Sequence, residues 1–369
     1  MHVSAPGKLV LLGEWSILEL GNPAIVAAVN KRVHAELAPA PAFEFAIDDF
    51  GIKGALADFD GKELRWRNAL PEDAAKKLAF PKAAVEVALR YLGEAKPAKI
   101  HSWGELSQLL YQGRAQKLGF GSSAAAIVAI VAGTLAHHGF PIDSEQAKET
   151  IFKLSTIAHY YAQGKTGSAV DVAASAYGGI SLYERFDPAW LSAELAAKPL
   201  KEVVDQPWPR FRAQPLAIPP ELRLLIGWTT GETSTSAAIK QMDQFKARDR
   251  ASYDRLYNRI ADVVRAATQA WERNDYHKVR AAIRENARLL GELTKSSGVN
   301  IETPLLKALA DTAWNSGAAG KLSGAGGGEC GFAVCWDPVT AESVRIAWEQ
   351  NGIVPVEASY DPEGVRLHQ

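Results

Sequence analysis

The chain has 369 residues, 47% of them hydrophobic, which is enough to bury a large core and favours two domains over one. Its 41 lysine and arginine residues nearly balance its 42 aspartate and glutamate residues. A balanced charge creates no long-range field, so nucleic acid and anionic membrane are excluded as main partners, and any anion must be bound by local basic residues.

Cysteine content and apolar runs predict a cytoplasmic protein. Cys330 and Cys335 are the only cysteines, and without further cysteine or histidine nearby they fit buried thiols in a reducing compartment better than a disulfide or a zinc site. The start, MHVSAPGKLVLLGEW, has a lysine inside a short apolar run and an acid directly after it, unlike a signal peptide. The longest apolar run, residues 124–136, is shorter than the roughly 20 residues that cross a bilayer.

The N-terminal region is predicted to form a sheet rich in hairpins. The stretches KLVLLGEW and AIVAAVNKRVHAEL are rich in β-branched residues and are separated by the turn signal ELGNP. Residues 71–93 follow with apolar residues three and four apart, which predicts one helix or two. Pro81 is the predicted kink or break in that segment.

Two further helices are predicted before the middle of the chain. Residues 122–138 are almost unbroken apolar sequence, so this helix is expected to be buried on most faces. Asp143 is expected to cap the next helix, which ends at Gly164. Residues 187–220 are then rich in proline and irregular, which predicts the connection between two domains.

The second half is predicted to begin with the strand LRLLIGWTTG. Two long amphipathic helices follow at residues 236–271 and 275–295, and their arginine-rich faces are interleaved with acids at helical spacing, which predicts solvent exposure. The glycine-rich stretch LSGAGGGECG then leads into a strand.

The glycine and serine loop at residues 119–124 is the first candidate for a ligand site. It formally fits the relaxed dinucleotide-binding pattern, but no buried strand precedes it, and its own helix is followed by another helix. Because small residues open a helix here, free backbone N–H groups and the positive end of the helix dipole suit an anion. The alternative, in which Ser122 only caps the helix, stays open on these grounds.

The stretch GKTGSAVDVAASAYGG, residues 164–179, is the second candidate. Its Gly-Lys-Thr start resembles the end of a P-loop, but the first glycine of that motif would fall on His159 inside a predicted helix. The stretch carries one carboxylate, Asp171, in small and apolar surroundings, where a charge is costly unless it serves a cation, a lysine or a substrate. A lone aspartate would more often be a helix cap than a catalyst.

Residues 323–328, SGAGGG, contain more glycine than an ordinary turn needs. Each glycine lowers stability through backbone entropy unless a close backbone approach or a positive φ requires it. Such a loop suits a nest of backbone N–H groups that binds an anion. This loop therefore favours the anion-binding interpretation of the 119–124 loop.

Three segments, in this order, are similar to the motifs of the GHMP kinases, the family named for galactokinase, homoserine kinase, mevalonate kinase and phosphomevalonate kinase. They are APGKLVLLGEW, KLGFGSSAA and KLSGAGGGECG, and the resemblance spans nearly the whole chain. It implies an α+β, two-domain GHMP kinase fold. An N-terminal ATP-binding domain like ribosomal protein S5 domain 2 is expected at residues 1–186, a proline-rich connection at 187–220, and a ferredoxin-like C-terminal domain at 221–369.

Within the family, the motif variants resemble the phosphomevalonate kinase branch, in which an aromatic residue follows the motif glutamate, as Trp15 does here. Ala169 replaces the usual glycine, Glu329 the usual aspartate, and Phe120 the commoner leucine. The resemblance implies transfer of the γ-phosphoryl group of ATP to 5-phosphomevalonate, which gives 5-diphosphomevalonate. A mevalonate kinase or another GHMP kinase that acts on a hydroxyl is the alternative, and a non-catalytic ligand-binding relative is less favoured.

The resemblance also implies roles for individual residues. The expected catalytic residues are Lys8 and Asp171. The expected contacts of the ATP phosphates are Lys117, Gly119, Gly121, Ser122 and Ser123, of which Ser122 and Ser123 would also hold Mg²⁺. The expected substrate contacts are Glu14, Ser168, Ser323, Gly324, Ala325 and Gly326.

Further expectations concern secondary contacts and partners. Ser234, Thr235 and Ser236 are weaker candidates near the site, and Lys117, Lys165 and Lys321 are candidates to grip the acceptor's own phosphate. The implied cofactors are ATP and Mg²⁺, and the implied partner is a small, phosphorylated acceptor. The segment IAHYYAQG has no acid where mevalonate kinases have one, so Mg²⁺ would rely on serine, phosphate oxygens and water. We expect a monomer or a homodimer.

Overall fold

A computed structural model of the protein describes residues 1–106, 109–111, 114–116, 118–162, 164, 167–231 and 235–368. Its strands are β1 (His2–Leu12), β2 (Pro23–Pro39), β3 (Phe43–Ile47), β4 (Ile52–Phe59), β5 (Leu64–Trp66), β6 (Ala98–Gly104), β7 (Leu109–Tyr111), β8 (Arg114–Gln116), β9 (Ile180–Glu184), β10 (Arg212–Leu216), β11 (Arg223–Trp228), β12 (Ala319–Leu322), β13 (Cys330–Cys335), β14 (Val354–Val356) and β15 (Arg366–His368). Its helices are α1 (Glu72–Lys77), α2 (Ala79–Leu92), α3 (Ser122–His137), α4 (Glu145–Ala162), α5 (Val170–Tyr177), α6 (Pro188–Ala197), α7 (Leu200–Asp205), α8 (Thr235–Arg248), α9 (Arg250–Glu272), α10 (Tyr276–Ser297), α11 (Pro304–Asn315) and α12 (Pro338–Gln350). The predicted α+β class is confirmed.

The long strand β2 organises the larger sheet. It pairs with β9 near its start and with β6 near its end, and β1 runs antiparallel along its opposite edge. The sheet continues from β6 through β3, β4 and β5, and from β9 to β10. Strands β1 and β2 form the predicted N-terminal hairpin, and the rest of the sheet is arranged around it. The short strand β15 pairs with β1, so residues 366–368 return to this sheet.

Helix α3 lies at the centre of the helices that cover the larger sheet. Its residues 124, 125 and 127–136 are buried, and it packs against α2, α4, α5, β1 and β2. Gly133 permits a close approach to Leu37, whose Cδ1 would lie 2.5 Å from an added Cβ. The buried helix predicted from the apolar run is thus confirmed. No described helix combines the length and apolar composition that a membrane span requires.

The smaller sheet has the strand order β12-β13-β11-β14, and its described pairs are antiparallel. Along the chain, its elements follow the β-α-β-β-α-β pattern of a ferredoxin-like domain, with α8 to α11 in the first crossover and α12 in the second. Cys330 and Cys335 lie on β13 with free, buried thiols, as predicted. Burial raises the pKa of both thiols.

Two predicted helices are divided differently in the structure. The break expected at Pro81 lies at Leu78, because Pro81 fits the first turn of α2, where the missing N–H costs no helical bond. The helix predicted for residues 236–271 is two helices, α8 and α9. The Asp249 carboxylate causes this division, since it caps α9 by accepting from the Ser252 backbone N–H at 3.0 Å.

The predicted cap of α4 is also wrong by one residue. The hydroxyl of Ser144, not the carboxylate of Asp143, accepts from the Ala147 backbone N–H at 3.1 Å. Ser144 also accepts the first helical bond through its carbonyl, from the Lys148 N–H at 2.9 Å. It therefore has the position of an N-cap residue.

The segment predicted to be irregular, residues 187–220, contains α6, α7 and β10. Its prolines suggest breaks, yet Pro188 begins α6 after the capping carboxylate of Asp187, and Pro199 precedes α7. Strand β10 extends the larger sheet beside β9. The proposed domain boundaries at residues 186 and 220 stay a prediction.

Three histidines from distant parts of the sequence meet on β1, β2 and β15. His2 Nε2 lies 3.0 Å from His34 Nδ1, and the His2 ring stacks on His368 with centroids 4.2 Å apart. The Ser4 hydroxyl lies 2.8 Å from His368 Nε2, and the Glu105 carboxylate lies 3.7 Å from His34 Nε2. Partial burial lowers the pKa of all three imidazoles, that of His368 to about 4.

We expect this histidine cluster to weaken the fold in acid. Unfolded histidine binds a proton near pH 6.5, whereas His368 in the folded protein stays neutral down to about pH 4, so acidification through this window favours the unfolded state. Above the unfolded pKa both states are neutral, and the effect vanishes. The His368→Asn variant should therefore show a shallower fall of unfolding free energy with acid than the native chain.

Urea unfolding at about pH 7.5, 6 and 5 measures this difference. The His277→Asn variant is the control, since His277 lies on the surface of α10 away from the cluster. Equal pH slopes for native protein and His368→Asn would contradict the prediction.

Candidate active site

A cavity of about 460 Å³ lies where the larger sheet meets the domain of the smaller one. From the N-terminal side it is lined by the end of β1, the loop before α3 and the start of α5. From the C-terminal side it is lined by Ile239 of α8 and by the glycine loop between β12 and β13. The three motif segments, far apart in the sequence, therefore converge on one cavity.

The loop before α3 contains two glycines in a backbone conformation that other residues rarely adopt. Gly119 and Gly121 have φ values of 71° and 75°, in the left-handed region that favours glycine. Gly121 occupies the N-cap position, and its carbonyl accepts from the Ala125 N–H at 3.1 Å. Ser122 is therefore the first helical residue and not the cap. The first N–H groups of α3 have no acceptor within the helix, and Ser122 and Ser123, which carry two of them, line the cavity.

Lys8 of β1 lies directly under this loop. Its backbone N–H donates to the Phe120 carbonyl at 2.8 Å, and its ammonium donates to the Gly119 carbonyl at 3.2 Å. A Cβ added to Gly121 would lie 3.2 Å from Lys8 Cγ and 3.3 Å from Lys8 Cε. A side chain at residue 121 would therefore fit only if the Lys8 side chain moved by a few tenths of an ångström.

Asp171 reaches the same place from the first turn of α5. The Asp171 Cβ lies 3.6 Å from the position of a Cβ added to Gly121. Asp171, Lys8 and the 119–121 loop therefore adjoin one another. Ala169 precedes the helix with φ 59°, a conformation in which the family's usual glycine is unstrained and alanine is not.

Hydrogen bonds from the larger sheet hold the turn before Asp171. The Tyr183 hydroxyl donates to the Ser168 carbonyl at 2.6 Å. The Arg185 guanidinium donates to the Gly167 carbonyl at 3.0 Å and to the Leu18 carbonyl at 2.7 Å. These buried donors fix the backbone on which Asp171 depends.

The late glycine loop closes the cavity from the C-terminal side. Gly324 lies next to the Lys8 ammonium, since a Cβ added to Gly324 would be 3.7 Å from Lys8 Nζ. The Ser323 hydroxyl accepts from the Val10 N–H at 2.9 Å, so it joins the loop to β1. Gly326 packs against the Ile301 backbone, where an added Cβ would lie 2.8 Å from the carbonyl carbon, and it does not line the cavity.

Glu14 and Lys321 form a buried ion pair in the wall of the cavity. Both side chains are almost fully buried, and the Lys321 ammonium donates to Glu14 Oε1 and, at 2.7 Å, to the Leu322 carbonyl. Burial raises the pKa of Glu14 and lowers that of Lys321, and the pairing opposes both shifts. Lys321 is therefore committed to Glu14 and is not free to grip an acceptor phosphate.

The structure brings most of the predicted site residues together. The predicted residues that line the cavity are Lys8, Glu14, Gly119, Gly121, Ser122, Ser123, Ser168, Asp171, Gly324 and Ala325. Lys117, Lys165 and Ser234 lie outside the described residues, as do the side chains of Thr235 and Ser236.

Other lining residues have no assigned role in the sequence prediction. Phe80 and His159 reach the cavity from α2 and α4, and Trp15 and Glu329 lie beside two of the motifs. No local pattern marks Phe80, because only the packing of α2 against α4 brings it to the site. The sequence does mark Trp15 and Glu329, because they belong to the segments APGKLVLLGEW and KLSGAGGGECG.

Comparison with known proteins gives consistent matches over the whole chain. Residues 79–179 match the GHMP kinases N terminal domain, and residues 250–354 match the description GHMP kinases C terminal. A phosphomevalonate kinase from Streptomyces sp. (strain CL190) is 33% identical in a match that covers 98% of this chain and 97% of the relative.

Solved structures show the same fold. The Lin0012 protein from Listeria innocua superimposes with a TM-score of 0.89 and 33% identity, covering 100% of this chain and 99% of that one. The phosphomevalonate kinase of Streptococcus pneumoniae, solved in complex with phosphomevalonate and AMPPNP, superimposes with a TM-score of 0.81 and 24% identity, covering 98% and 99%. At this lower identity, the likeness establishes the fold alone.

We expect the removal of one partner of the Glu14–Lys321 pair to lower the unfolding free energy strongly, and the removal of both partners to lower it much less. Glu14→Gln or Lys321→Met alone leaves one buried group without its partner and should lower the unfolding free energy by about 3–5 kcal/mol. The double variant removes both charges and should lose clearly less than the sum. Urea unfolding of the four proteins gives the coupling free energy.

The exposed pair of Lys307 and Asp311 supplies a matched control, with side chains 59% and 56% exposed. Lys307→Met should cost less than about 1 kcal/mol, because solvent screens a surface pair. Additive losses at Glu14 and Lys321 would show that the two charges do not stabilise one another.

Proposed function

The chain belongs to the GHMP kinase family, and we propose that it transfers the γ-phosphoryl group of ATP to 5-phosphomevalonate. Membership makes the protein a small-molecule phosphotransferase with the two-domain α+β fold of these kinases. The observation that carries the proposal is the convergence of Lys8, Asp171 and the N-terminus of α3 on one cavity. The identity of the acceptor is supported by the phosphomevalonate kinase name of the Streptomyces relative and by the motif variants shared with that branch.

The loop before α3 is the proposed site of the ATP phosphates. The N–H groups of Ser122 and Ser123 begin the helix without helical acceptors, and the helix dipole favours negative charge there. Gly119 and Gly121 bring the backbone close without a side chain in the way. The predicted contact of Lys117 remains part of this proposal, although that residue lies outside the described residues.

Mg²⁺ fits the oxygen donors at the same end of the cavity. The half-buried hydroxyls of Ser122 and Ser123 would hold it, since Mg²⁺ prefers oxygen ligands and keeps several waters. Among the described residues, no group of three metal-ligating side chains lies at this cavity, so phosphate oxygens and water would complete the coordination. The ion would supply neutralisation of phosphate charge during transfer.

Lys8 and Asp171 are the proposed catalytic residues. In the reaction, an oxygen of the acceptor phosphate attacks the γ-phosphorus, the bond to the bridging β,γ-oxygen breaks, and ADP leaves. The Lys8 ammonium stabilises negative charge on the transferred group, and Gly324 and Ala325 contain it from the opposite side. The second pKa of a phosphate monoester is near 6, so Asp171 orients Lys8 and the acceptor more than it removes a proton.

Cytoplasmic location and a monomeric or homodimeric state stay predictions from the sequence.

The sequence predicts that Ser323 and Gly326 contact the acceptor. In the structure, the Ser323 hydroxyl binds the Val10 N–H, and Gly326 packs on Ile301. We propose that these two residues shape the loop, whereas Gly324 and Ala325 face the reacting groups.

Acceptor identity is tested by ADP release with MgATP. We expect turnover with (R)-5-phosphomevalonate and none with (R)-mevalonate at equal concentration. Turnover on mevalonate alone would keep the kinase chemistry and replace the acceptor by a hydroxyl. No ADP release with either compound would contradict the proposal and favour a ligand-binding role.

In the same assay, Asp171→Asn distinguishes the two kinds of acceptor. General base catalysis contributes about 10²–10⁴-fold, so a kinase acting on a hydroxyl should lose that much. We expect kcat with 5-phosphomevalonate to fall by less than about a hundredfold, because its phosphate is already ionised. A loss above about a thousandfold would indicate that Asp171 removes a proton.

Gly121→Ala tests the close approach of Lys8 to the phosphate loop. The added Cβ meets Lys8 Cγ at 3.2 Å and Cε at 3.3 Å, so we expect kcat/KM for ATP to fall at least about tenfold, or about 1.4 kcal/mol. Gly93→Ala is the matched control, since Gly93 has a similar φ of 71° and open space around its Cβ. Both variants should lose about 1–2 kcal/mol of stability, while Gly93→Ala keeps its activity. Equal kinetics for the two would exclude the steric argument.

A further inference from the structure

Three half-buried histidines form a compact group on the larger sheet, away from the cavity. His2, His34 and His368 each offer one imidazole nitrogen, and the three nitrogens lie within 4.8 Å of one another. The centroids of their rings are 4.2 to 5.8 Å apart. None of the three lines the cavity. In the part of the chain that the structure describes, no other group of three histidine, cysteine, aspartate or glutamate side chains is placed to share a metal ion.

The pairing of three strands places these rings on one face of the sheet. His2 of β1 lies opposite His368 of β15, and His34 of β2 lies opposite Ser4, two residues further along β1. Residues two apart on a strand share a face, whereas Val3, between them, points into the core on the other side. Backbone pairing therefore holds the three rings together.

The spacing of the nitrogens is close to what one metal ion requires. Zinc binds imidazole nitrogen at about 2.0–2.1 Å, so two nitrogens of a tetrahedral site are about 3.3 Å apart. His2 Nε2 and His34 Nδ1 are 3.0 Å apart in the structure. The widest separation in the group is at most 4.8 Å, which small rotations of half-buried rings can reduce to the tetrahedral value.

Neighbouring side chains orient two of the rings. On the side of the His34 ring away from Nδ1, its Nε2 lies 3.7 Å from Glu105 Oε1. The Ser4 hydroxyl lies 2.8 Å from His368 Nε2. Trp103 stacks on His34 with centroids 5.2 Å apart and ring planes within 6°. Histidines that bind metal usually donate their second N–H to a carboxylate or another oxygen, and Glu105 is placed to accept from His34 in this way.

The charges around the group allow a divalent cation. Partial burial lowers the pKa of all three imidazoles, so they are uncharged at neutral pH, and neutral imidazole is the form that binds metal. Arg32 and Arg366 act on the same rings, but each is paired with a carboxylate, Asp361 and Glu363 respectively. Glu105 adds negative charge beside one ring.

We infer that His2, His34 and His368 bind a zinc ion that joins β15 to β1 and β2. Imidazole suits Zn²⁺ and its neighbours among the transition metals, whereas Mg²⁺ prefers oxygen, so this site is distinct in chemistry and position from the proposed site of Mg²⁺. A water molecule completes the tetrahedral coordination. Because residues 34 and 368 are far apart in the sequence, the ion closes a long loop and stabilises the folded chain.

Calorimetric titration of the whole chain with ZnCl₂ at about pH 7.5, without nucleotide, tests the site. Both this titration and the acid unfolding described above start from protein freed of metal with EDTA. We expect one strong site in the native protein. His34→Asn and His368→Asn should each weaken it at least about a hundredfold, since even the outer partner of a metal ligand contributes about 10–100-fold. Native affinity in both variants, or no strong site in the native protein, would overturn the inference.

His101→Asn is the matched control on the same face of the sheet. The His101 ring lies 4.9 Å from that of Trp103, but its Nε2 is 3.0 Å from the Asp48 carboxylate, and it is not one of the three. Its zinc affinity should equal that of the native protein. The adjacent His137 and His138 remain in every variant, so native affinity in the His34→Asn/His368→Asn double variant would place the ion elsewhere and overturn the site.

The visible absorption of Co²⁺ tests the ligands directly. This absorption intensifies when Co²⁺ exchanges six waters for tetrahedral coordination that includes imidazole. We expect the intense spectrum with the native protein and with His101→Asn, and the weak spectrum of aqueous Co²⁺ with His34→Asn and His368→Asn. The weak spectrum with the native protein would overturn the tetrahedral site.

Thermal unfolding separates loss of the metal from loss of the fold. Added Zn²⁺ should raise the Tm of the native protein and leave that of His34→Asn and His368→Asn unchanged. Cooperative unfolding of these variants without metal shows that they are folded. His368 lies on the short edge strand β15, so His368→Asn keeps the test decisive even where His34→Asn does not fold. An equal rise in Tm for native protein and His368→Asn would overturn the inference.

Discussion

The burial of α3 on every side is the constraint on which the candidate site depends. After Ser122 and Ser123, the helix has no charged side chain before its last turn, so it can expose no face without losing apolar contacts. Its N-terminus is therefore fixed in the fold. Lys8 joins β1 to that end by donating to the Phe120 and Gly119 carbonyls. The apolar sequence of α3 thus determines where a phosphate would lie next to Lys8, although none of the apolar side chains needs to contact that phosphate.

The polar groups in the cavity wall divide into two kinds. Lys321 and one oxygen of Glu14 satisfy each other, so this pair stiffens the wall. Within the described part of the chain, Glu14 Oε2, Trp15 Nε1 and His159 Nε2 have no hydrogen-bond partner. Leaving a buried donor or acceptor unpaired costs about 1–3 kcal/mol. A ligand that pairs with all three atoms would recover this cost and would bind more tightly than a molecule that lacks those groups.

Sequence patterns predict the parts of the site that depend on neighbours in the chain. Glycine at residues 119 and 121 indicates the left-handed turn, and the apolar run indicates the buried helix, because each pattern suits one local geometry. The pairing of Glu14 with Lys321, 307 residues apart, and the return of β15 to β1 depend on contacts that no local window contains. The cap at Asp249 is local, yet the amphipathic period on both sides of it predicts a continuous helix. Chain length and the proline-rich residues 187–220 favour two domains, whereas the fold of each domain is implied only by the family resemblance.

Two of the departures from the family's usual residues, Ala169 and Glu329, line the cavity, and the third, Phe120, is buried beside it. Ala169 occupies a left-handed turn before α5, and the Phe120 side chain, in the loop before α3, is buried in the core. Glu329 packs against Gly119, with its Cδ 2.9 Å from the position of an added Cβ. None of these three changes removes the ammonium of Lys8 or the free N–H groups of α3, on which the proposed phosphoryl transfer depends. If ATP and the acceptor bind as proposed, Lys8 and the N-terminus of α3 determine that a phosphoryl group moves, and the remaining walls of the cavity determine which molecule receives it.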